Sequence, residues 1–216
     1  MSRPLVKICG VTRLDDALAA VDLGADLVGL NFHPASPRCL TAERAAEIAA
    51  AVRERGERRT LLVGVFVARP AAEIAALDAA VGLDLVQLHG DQSPAEAAAW
   101  GARALPVVRV ARDAPPPPAE LAAALAARPA AWGFLFDVRH ESLWGGSGES
   151  WRWEAIAGLA DPRPRLVAGG IGPDEALRAL AASGAAGVDV CSGVESAPGI
   201  KDRRKMERLF AALAAA

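Results

Sequence analysis

Short apolar runs recur along the chain, and each is followed by a stretch of helical spacing. The first run, Leu5 to Cys9, predicts a strand. After it, Thr12 with Asp15 resembles a capping box, and Leu14, Leu18 and Val21 form the apolar stripe of a helix. The pattern then repeats, with strands predicted at Asp26 to Phe32, Leu61 to Val67, Leu83 to His89, Leu105 to Val110, Trp132 to Asp137, Leu166 to Ala168 and Gly187 to Cys191. Thr41 caps a helix running to about Arg55, and Pro70 opens the next. Ser93-Pro94-Ala95-Glu96 combines a cap, proline at the first helical position and glutamate at the third. Pro115 to Pro118 reads as a stiff surface loop before an Ala-rich helix. A short helix falls near Trp153 to Leu159. The last helix runs Lys201 to Ala214 and buries Met206, Leu209, Phe210 and Leu213. Strict alternation of eight strands with eight helical segments means a parallel sheet covered by helices. Eight units of about 27 residues fit an α/β fold, a single (β/α)8 barrel over residues 1–216. An open doubly wound sheet ranks lower, because no G-x-G-x-x-G follows the first strand.

One stretch breaks the apolar pattern in an informative way. Between Leu166 and Glu195, one run ends in Gly169-Gly170 and the next in Ser192-Gly193, with a helix opened by Pro173, Asp174 and Glu175 between them. Bare backbone at a strand end lets N–H groups approach an anion, and a helix N-terminus adds partial positive charge. Such glycines also serve as plain turn and cap residues. Two at successive strand ends late in the chain favour the phosphate cup that a barrel builds after its seventh and eighth strands.

Composition narrows the function. At 216 residues and 52% hydrophobic content the chain can bury a large core. A net charge of −2 and a pI near 6.0 give no sign of nucleic acid or an anionic membrane as partner. Cys9, Cys39 and Cys191 are an odd set without metal-type spacing, which suits a reducing cytoplasm. The opening MSRPLVKICG lacks a signal-type apolar region, and no uncharged stretch reaches the roughly 18 residues of a membrane span.

Catalytic residues of a barrel sit at the C-terminal ends of its strands. That rule picks Cys9, His33, His89, Asp137 and the two glycine turns. Cys9 is either an inert buried thiol or, once activated, a base or nucleophile. Asp137, after the apolar run Trp132 to Phe136, is either a general acid with a raised pKa or a loop carboxylate capping Val138 to His140. Alternation puts Lys7 on the face of Cys9, one layer deeper, where an ammonium needs a partner; Asp189 is the candidate, most simply as a structural ion pair. Gln87 and His89 share a face, so His89 lines the mouth as a hydrogen-bonding scaffold. Arg38 is either a solvated surface arginine or a bidentate clamp for a substrate carboxylate. Cys39 and His140 stand out for nothing specific. The spacing of His and carboxylates predicts no metal.

Taken together these residues resemble the phosphoribosylanthranilate isomerase family of tryptophan biosynthesis. The resemblance rests on Lys7-Ile8-Cys9-Gly10, on Gly24-Ala25-Asp26 with Ser36-Pro37-Arg38, and on Val63-Gly64-Val65-Phe66. It continues through Val86-Gln87-Leu88-His89-Gly90, Asp137 with Gly145-Gly146-Ser147-Gly148, and Ala168-Gly169-Gly170. It ends with Gly187-Val188-Asp189-Val190, Ser192-Gly193-Val194-Glu195 and Gly199-Ile200-Lys201-Asp202. It implies a (β/α)8 barrel with Cys9 as general base, Asp137 as general acid and Arg38 on the anthranilate carboxylate. It further implies a phosphate site at the Gly169-Gly170 and Ser192-Gly193 turns. Cys191 departs from the family, which more often has serine there, and a local packing change is expected. The implied reaction is an Amadori rearrangement of N-(5′-phosphoribosyl)anthranilate, without redox, metal or organic cofactor, by a monomer or homodimer.

Three rivals remain in view. The histidine-pathway isomerase performs the same rearrangement, but that family resembles two fused half-barrels with an aspartate where Cys9 stands, and Leu61 to Asp91 holds no second Gly-Gly turn. Indole-glycerol phosphate synthase relies on lysines at strand ends, whereas Lys7 is the only lysine in a predicted strand. A non-catalytic barrel that binds a sugar phosphate is the rival of another class.

Overall fold

The computed structural model describes residues 3–55, 60–90, 93–139 and 151–215. The stretch Gly145-Gly146-Ser147-Gly148 and His140, both singled out above, lie outside these residues. Eight parallel strands close into a barrel in sequence order: β1 (Leu5–Ile8), β2 (Leu27–Asn31), β3 (Leu61–Val67), β4 (Leu85–His89), β5 (Ala104–Ala111), β6 (Phe134–Arg139), β7 (Arg165–Val167) and β8 (Gly187–Val190). Pairing of β1 with β8 closes the ring, which settles the choice between barrel and open sheet. The helices are α1 (Leu14–Asp22), α2 (Ala42–Arg55), α3 (Ala71–Val81), α4 (Pro94–Ala98), α5 (Pro118–Ala126), α6 (Ala176–Ser183) and α7 (Arg203–Ala214). Among the described residues no helix is long and apolar enough to cross a membrane.

Strand alternation produces two apolar layers. One set of side chains, including Leu27, Val63, Leu85, Leu105, Leu135 and Leu166, fills the barrel interior. The other, including Val28, Leu62, Val86, Phe134, Phe136 and Val188, packs outward against the helices. An inner layer of that kind is a packed core and not a pore, so chemistry is confined to the strand ends.

Local signals explain some of the helix starts. The Ser93 hydroxyl accepts the Glu96 N–H while Glu96 returns a bond to the Ser93 N–H, the reciprocal cap expected. The Thr41 hydroxyl accepts the Arg44 N–H at 3.2 Å. Thr12 does not cap α1. Its hydroxyl donates instead to the Gly199 carbonyl at 2.5 Å, tying the end of β1 to a hairpin after β8. That hairpin pairs β9 (Glu195–Ala197) with β10 (Ile200–Lys201), so the last helix starts two residues later than its sequence pattern suggests. Lys201 is drawn into β10 because its N–H donates to Asp16 at 2.9 Å, and Asp202 becomes the cap. The segment after β6 is a 3-10 turn over Trp153–Ile156, not an α-helix. Residues 173–175 form a turn, and α6 follows at Ala176.

Candidate active site

At the C-terminal mouth of the barrel one cavity gathers Cys9, Arg38, His89, Asp137, Gly169, Gly170, Asp189 and Ser192. Gly193 faces an adjoining groove that shares Gly170 and Ser192. His33 does not line the cavity; Asn31 and Ser36 from the same region do.

Cys9 follows β1, and its N–H donates to the Val190 carbonyl at 2.9 Å, carrying the β1–β8 ladder one step beyond the strand. Because Lys7 is in register with Asp189 and Ile8 with Val190, Cys9 comes opposite Cys191. Lys7 is fully buried, and its Nζ lies 2.9 Å from Asp189 Oδ1, the ion pair expected. Burial alone would lower the lysine pKa, but the charges of Asp189 and Cys9 hold it above the ordinary value. Gly29 on β2 makes room for both side chains. A Cβ there would sit 2.9 Å from Cys9 Sγ and 3.2 Å from Lys7 Nζ.

The Cys9 thiol is drawn below its ordinary value, first by the neighbouring Cys191 thiol. Burial and Asp189 oppose the shift, and Lys7 assists it. Cys191 moves the other way, pushed up by Cys9 and by burial against the charges of Lys201 and Arg38. Lys7 stands on the Cys9 side, whereas the Cys191 sulfur has Lys201 Nζ at 3.9 Å and itself donates to Glu195 Oε1 at 3.9 Å.

Asp137 is buried on β6, and burial pushes its carboxyl up to about 7. The Val138 N–H donates to Oδ1 at 2.8 Å, the capping contact that its sequence position allows, and this pulls the value back only in part. The charges of Asp189 and Cys9 raise it further. Gly169, with φ +88°, passes close beneath: a Cβ there would lie 3.3 Å from Asp137 Oδ1 and 2.9 Å from Trp151 Cδ1. The buried Trp151 indole packs on this turn and donates to the Ala168 carbonyl at 2.8 Å. Trp151 carries no motif in the sequence, although it stands three residues after Gly148. His89 is buried and held neutral, its pKa pushed down to about 4 by burial and then by Arg109, Lys7 and His33.

Arg38 is not a solvated surface residue. It is buried, and it forks onto Glu195, with Nε to Oε1 at 2.8 Å and Nη2 to Oε2 at 2.6 Å. Its stem crosses the end of β1, where a Cβ on Gly10 would lie 2.5 Å from Arg38 Cδ. Lys201 Nζ reaches Glu195 Oε1 at 2.8 Å and the Cys191 carbonyl at 3.2 Å. Neither Glu195 nor Lys201 was legible as a site residue, because no periodicity links a hairpin after β8 to a loop after β2.

Chemically, the cavity pairs a thiol shifted toward its anion with a carboxyl shifted toward its neutral acid, and Gly169, Gly170 and Ser192 border it. The sequence model described as N-(5′-phosphoribosyl)anthranilate (PRA) isomerase matches residues 6–212. An N-(5′-phosphoribosyl)anthranilate isomerase of Magnetococcus marinus is 42% identical over 212 residues, covering 96% of this chain and 94% of that one. The crystal structure of a phosphoribosyl anthranilate isomerase from Thermus thermophilus superposes with a TM-score of 0.82 at 35% identity, over 98% of each chain. A phosphoribosyl anthranilate isomerase in complex with reduced 1-(o-carboxyphenylamino)-1-deoxyribulose 5-phosphate gives a TM-score of 0.78 at 30% identity, over 99% of this chain and 100% of that one. Fold and sequence similarity coincide along nearly the whole length, and the chain belongs to the N-(5′-phosphoribosyl)anthranilate isomerase family.

Proposed function

We propose that this chain catalyses the Amadori rearrangement of N-(5′-phosphoribosyl)anthranilate to 1-(2-carboxyphenylamino)-1-deoxyribulose 5-phosphate in tryptophan biosynthesis, with the barrel as its catalytic unit. The observation that carries the reading is that Cys9 and Asp137 line one cavity with Arg38 and the Gly169-Gly170 turn. Within it Cys9 is shifted down toward its thiolate and Asp137 up toward its neutral acid.

Asp137 protonates the ribose ring oxygen, and the ring opens to an imine. The Cys9 thiolate then takes the proton from C2′, and the resulting enolamine relaxes to the ketone. Asp137 suits the first step because burial stores its proton, and Cys9 suits the second because Lys7 and Cys191 stabilise the anion. The substrate phosphate sits on the N–H groups of the Gly169-Gly170 and Ser192-Gly193 turns. Arg38 takes the anthranilate carboxylate. Holding both ends places C2′ and the ring oxygen between base and acid, and positioning supplies much of the rate. His89, neutral and buried, serves as a hydrogen-bonding wall. The free thiols of Cys9, Cys39 and Cys191 support a reducing cytoplasm as the setting.

The test is a fluorescence assay in which N-(5′-phosphoribosyl)anthranilate is made in situ from anthranilate and phosphoribosyl pyrophosphate and its consumption followed. Wild type turns over, whereas Cys9→Ala and Asp137→Asn, folded by circular dichroism, lose at least about a hundredfold in kcat. Turnover that survives Cys9→Ala removes Cys9 as the base. Inactive wild type that still binds inorganic phosphate supports the non-catalytic barrel.

A further inference from the structure

Three buried charged side chains meet beside the cavity: Arg38 from the loop after β2, Glu195 from β9 and Lys201 from β10. Glu195 lies at the centre. It accepts Arg38 through both oxygens, Lys201 Nζ at 2.8 Å and the Gly199 N–H at 3.2 Å. The hairpin that carries Glu195 is fastened further by Thr12 to the Gly199 carbonyl, the Lys201 N–H to Asp16 and Lys205 Nζ to the Glu195 carbonyl. Desolvating so many charges is costly unless geometry and pairing are good. A surface position for Arg38 would avoid that cost, so the burial calls for a reason.

The geometry supplies one. Glu195 occupies the Nε–Nη2 edge of the Arg38 guanidinium. A guanidinium has five N–H donors in a fixed plane, so the end edge, with one N–H from each terminal nitrogen, stays open for a second carboxylate. Charge balance points the same way. With Glu195 alone, Arg38 would be neutralised and an arriving carboxylate would meet another carboxylate. With Lys201 the cluster holds two cations and one anion, and its net positive charge is left for a ligand. The Glu195 carboxyl is kept ionised: burial would raise its pKa, but Arg38 and Lys201 hold it below the usual range.

We infer that Glu195 and Lys201 are positioning residues for substrate carboxylate recognition. Glu195 locks the guanidinium plane of Arg38 with its end edge toward the cavity, and Lys201 restores the positive charge that Glu195 removes. The inference rests on the reading of Arg38 as the carboxylate-binding residue. It deepens that reading, because the arginine is oriented before substrate arrives and little rotamer entropy is lost on binding.

The test separates carboxylate recognition from general loosening of the site. Two inhibitors of turnover are compared, reduced 1-(o-carboxyphenylamino)-1-deoxyribulose 5-phosphate and its analogue lacking the carboxyl group. The ratio of their inhibition constants measures what the carboxylate contributes. In Glu195→Gln and Lys201→Met the ratio falls at least about tenfold, while inhibition by the carboxyl-free analogue stays within about twofold. Lys201→Arg, which keeps the charge, retains the wild-type ratio. Arg38→Met, run in parallel, abolishes the preference. If Arg38→Met abolishes it but Glu195→Gln and Lys201→Met leave it intact, the inference is overturned and the reading of Arg38 stands. If Arg38→Met leaves the ratio unchanged, that reading itself fails and takes the inference with it. Equal weakening of both inhibitors in the Glu195 and Lys201 variants assigns the pair to structure alone and also overturns it.

Discussion

Replacing Cys191 by alanine removes the strongest influence that lowers the Cys9 thiol, while burial and Asp189 still raise it and only Lys7 still lowers it, so the thiol moves up. Productive enzyme needs Cys9 ionised and Asp137 protonated. Each unit by which the thiol rises removes about nine-tenths of the thiolate present below its pKa. The expected result is a fall in kcat/KM at neutral pH of about tenfold per unit of rise, with the optimum shifted alkaline by about half as much. High pH does not rescue the variant, because Asp137 loses its proton there. The assay is the pH profile of kcat/KM from fluorescence progress curves, with Cys191→Ser as control. Serine keeps a donor and is expected to stay within about threefold of wild type. A Cys191→Ala profile with unchanged optimum and height would refute the reasoning.

Two further predictions follow from the packing. Lys7→Met strands Asp189 without its buried partner and should cost about 3–5 kcal/mol in urea unfolding, much of which Lys7→Met with Asp189→Asn regains. A double variant no more stable than Lys7→Met would show that the pair does not set the cost. Gly169→Ala forces a side chain into φ +88° and drives it toward Trp151 and Asp137. The strain should cost about 1–3 kcal/mol in thermal melts and lower kcat, whereas unchanged kcat would mean that the turn does not hold Asp137 in place.

The alternation of apolar runs and helical spacing determined the (β/α)8 class, because period-2 and period-3.6 patterns are local properties of the chain. It placed every barrel strand to within a residue or two, and the Ser93 and Thr41 caps with them. The strand-end rule brought Cys9, His89, Asp137, Gly169 and Gly170 to one cavity, though not His33, because in a parallel barrel every strand ends on the same side. Strand alternation also made Lys7 an inward partner for Asp189. What lay beyond the sequence depends on neighbours distant along the chain. Thr12 gave up its cap for Gly199, and Lys201 left the last helix for a hairpin, because each found a partner almost the whole chain length away. The pairing of Cys9 with Cys191 needed the β1–β8 register, which exists only once the barrel closes. The room that Gly29 leaves for Cys9 and Lys7, and the hold of Glu195 on Arg38, arise across strands and loops that share no local pattern. Local periodicity decides which face a residue presents, and only closure of the barrel decides what that face meets.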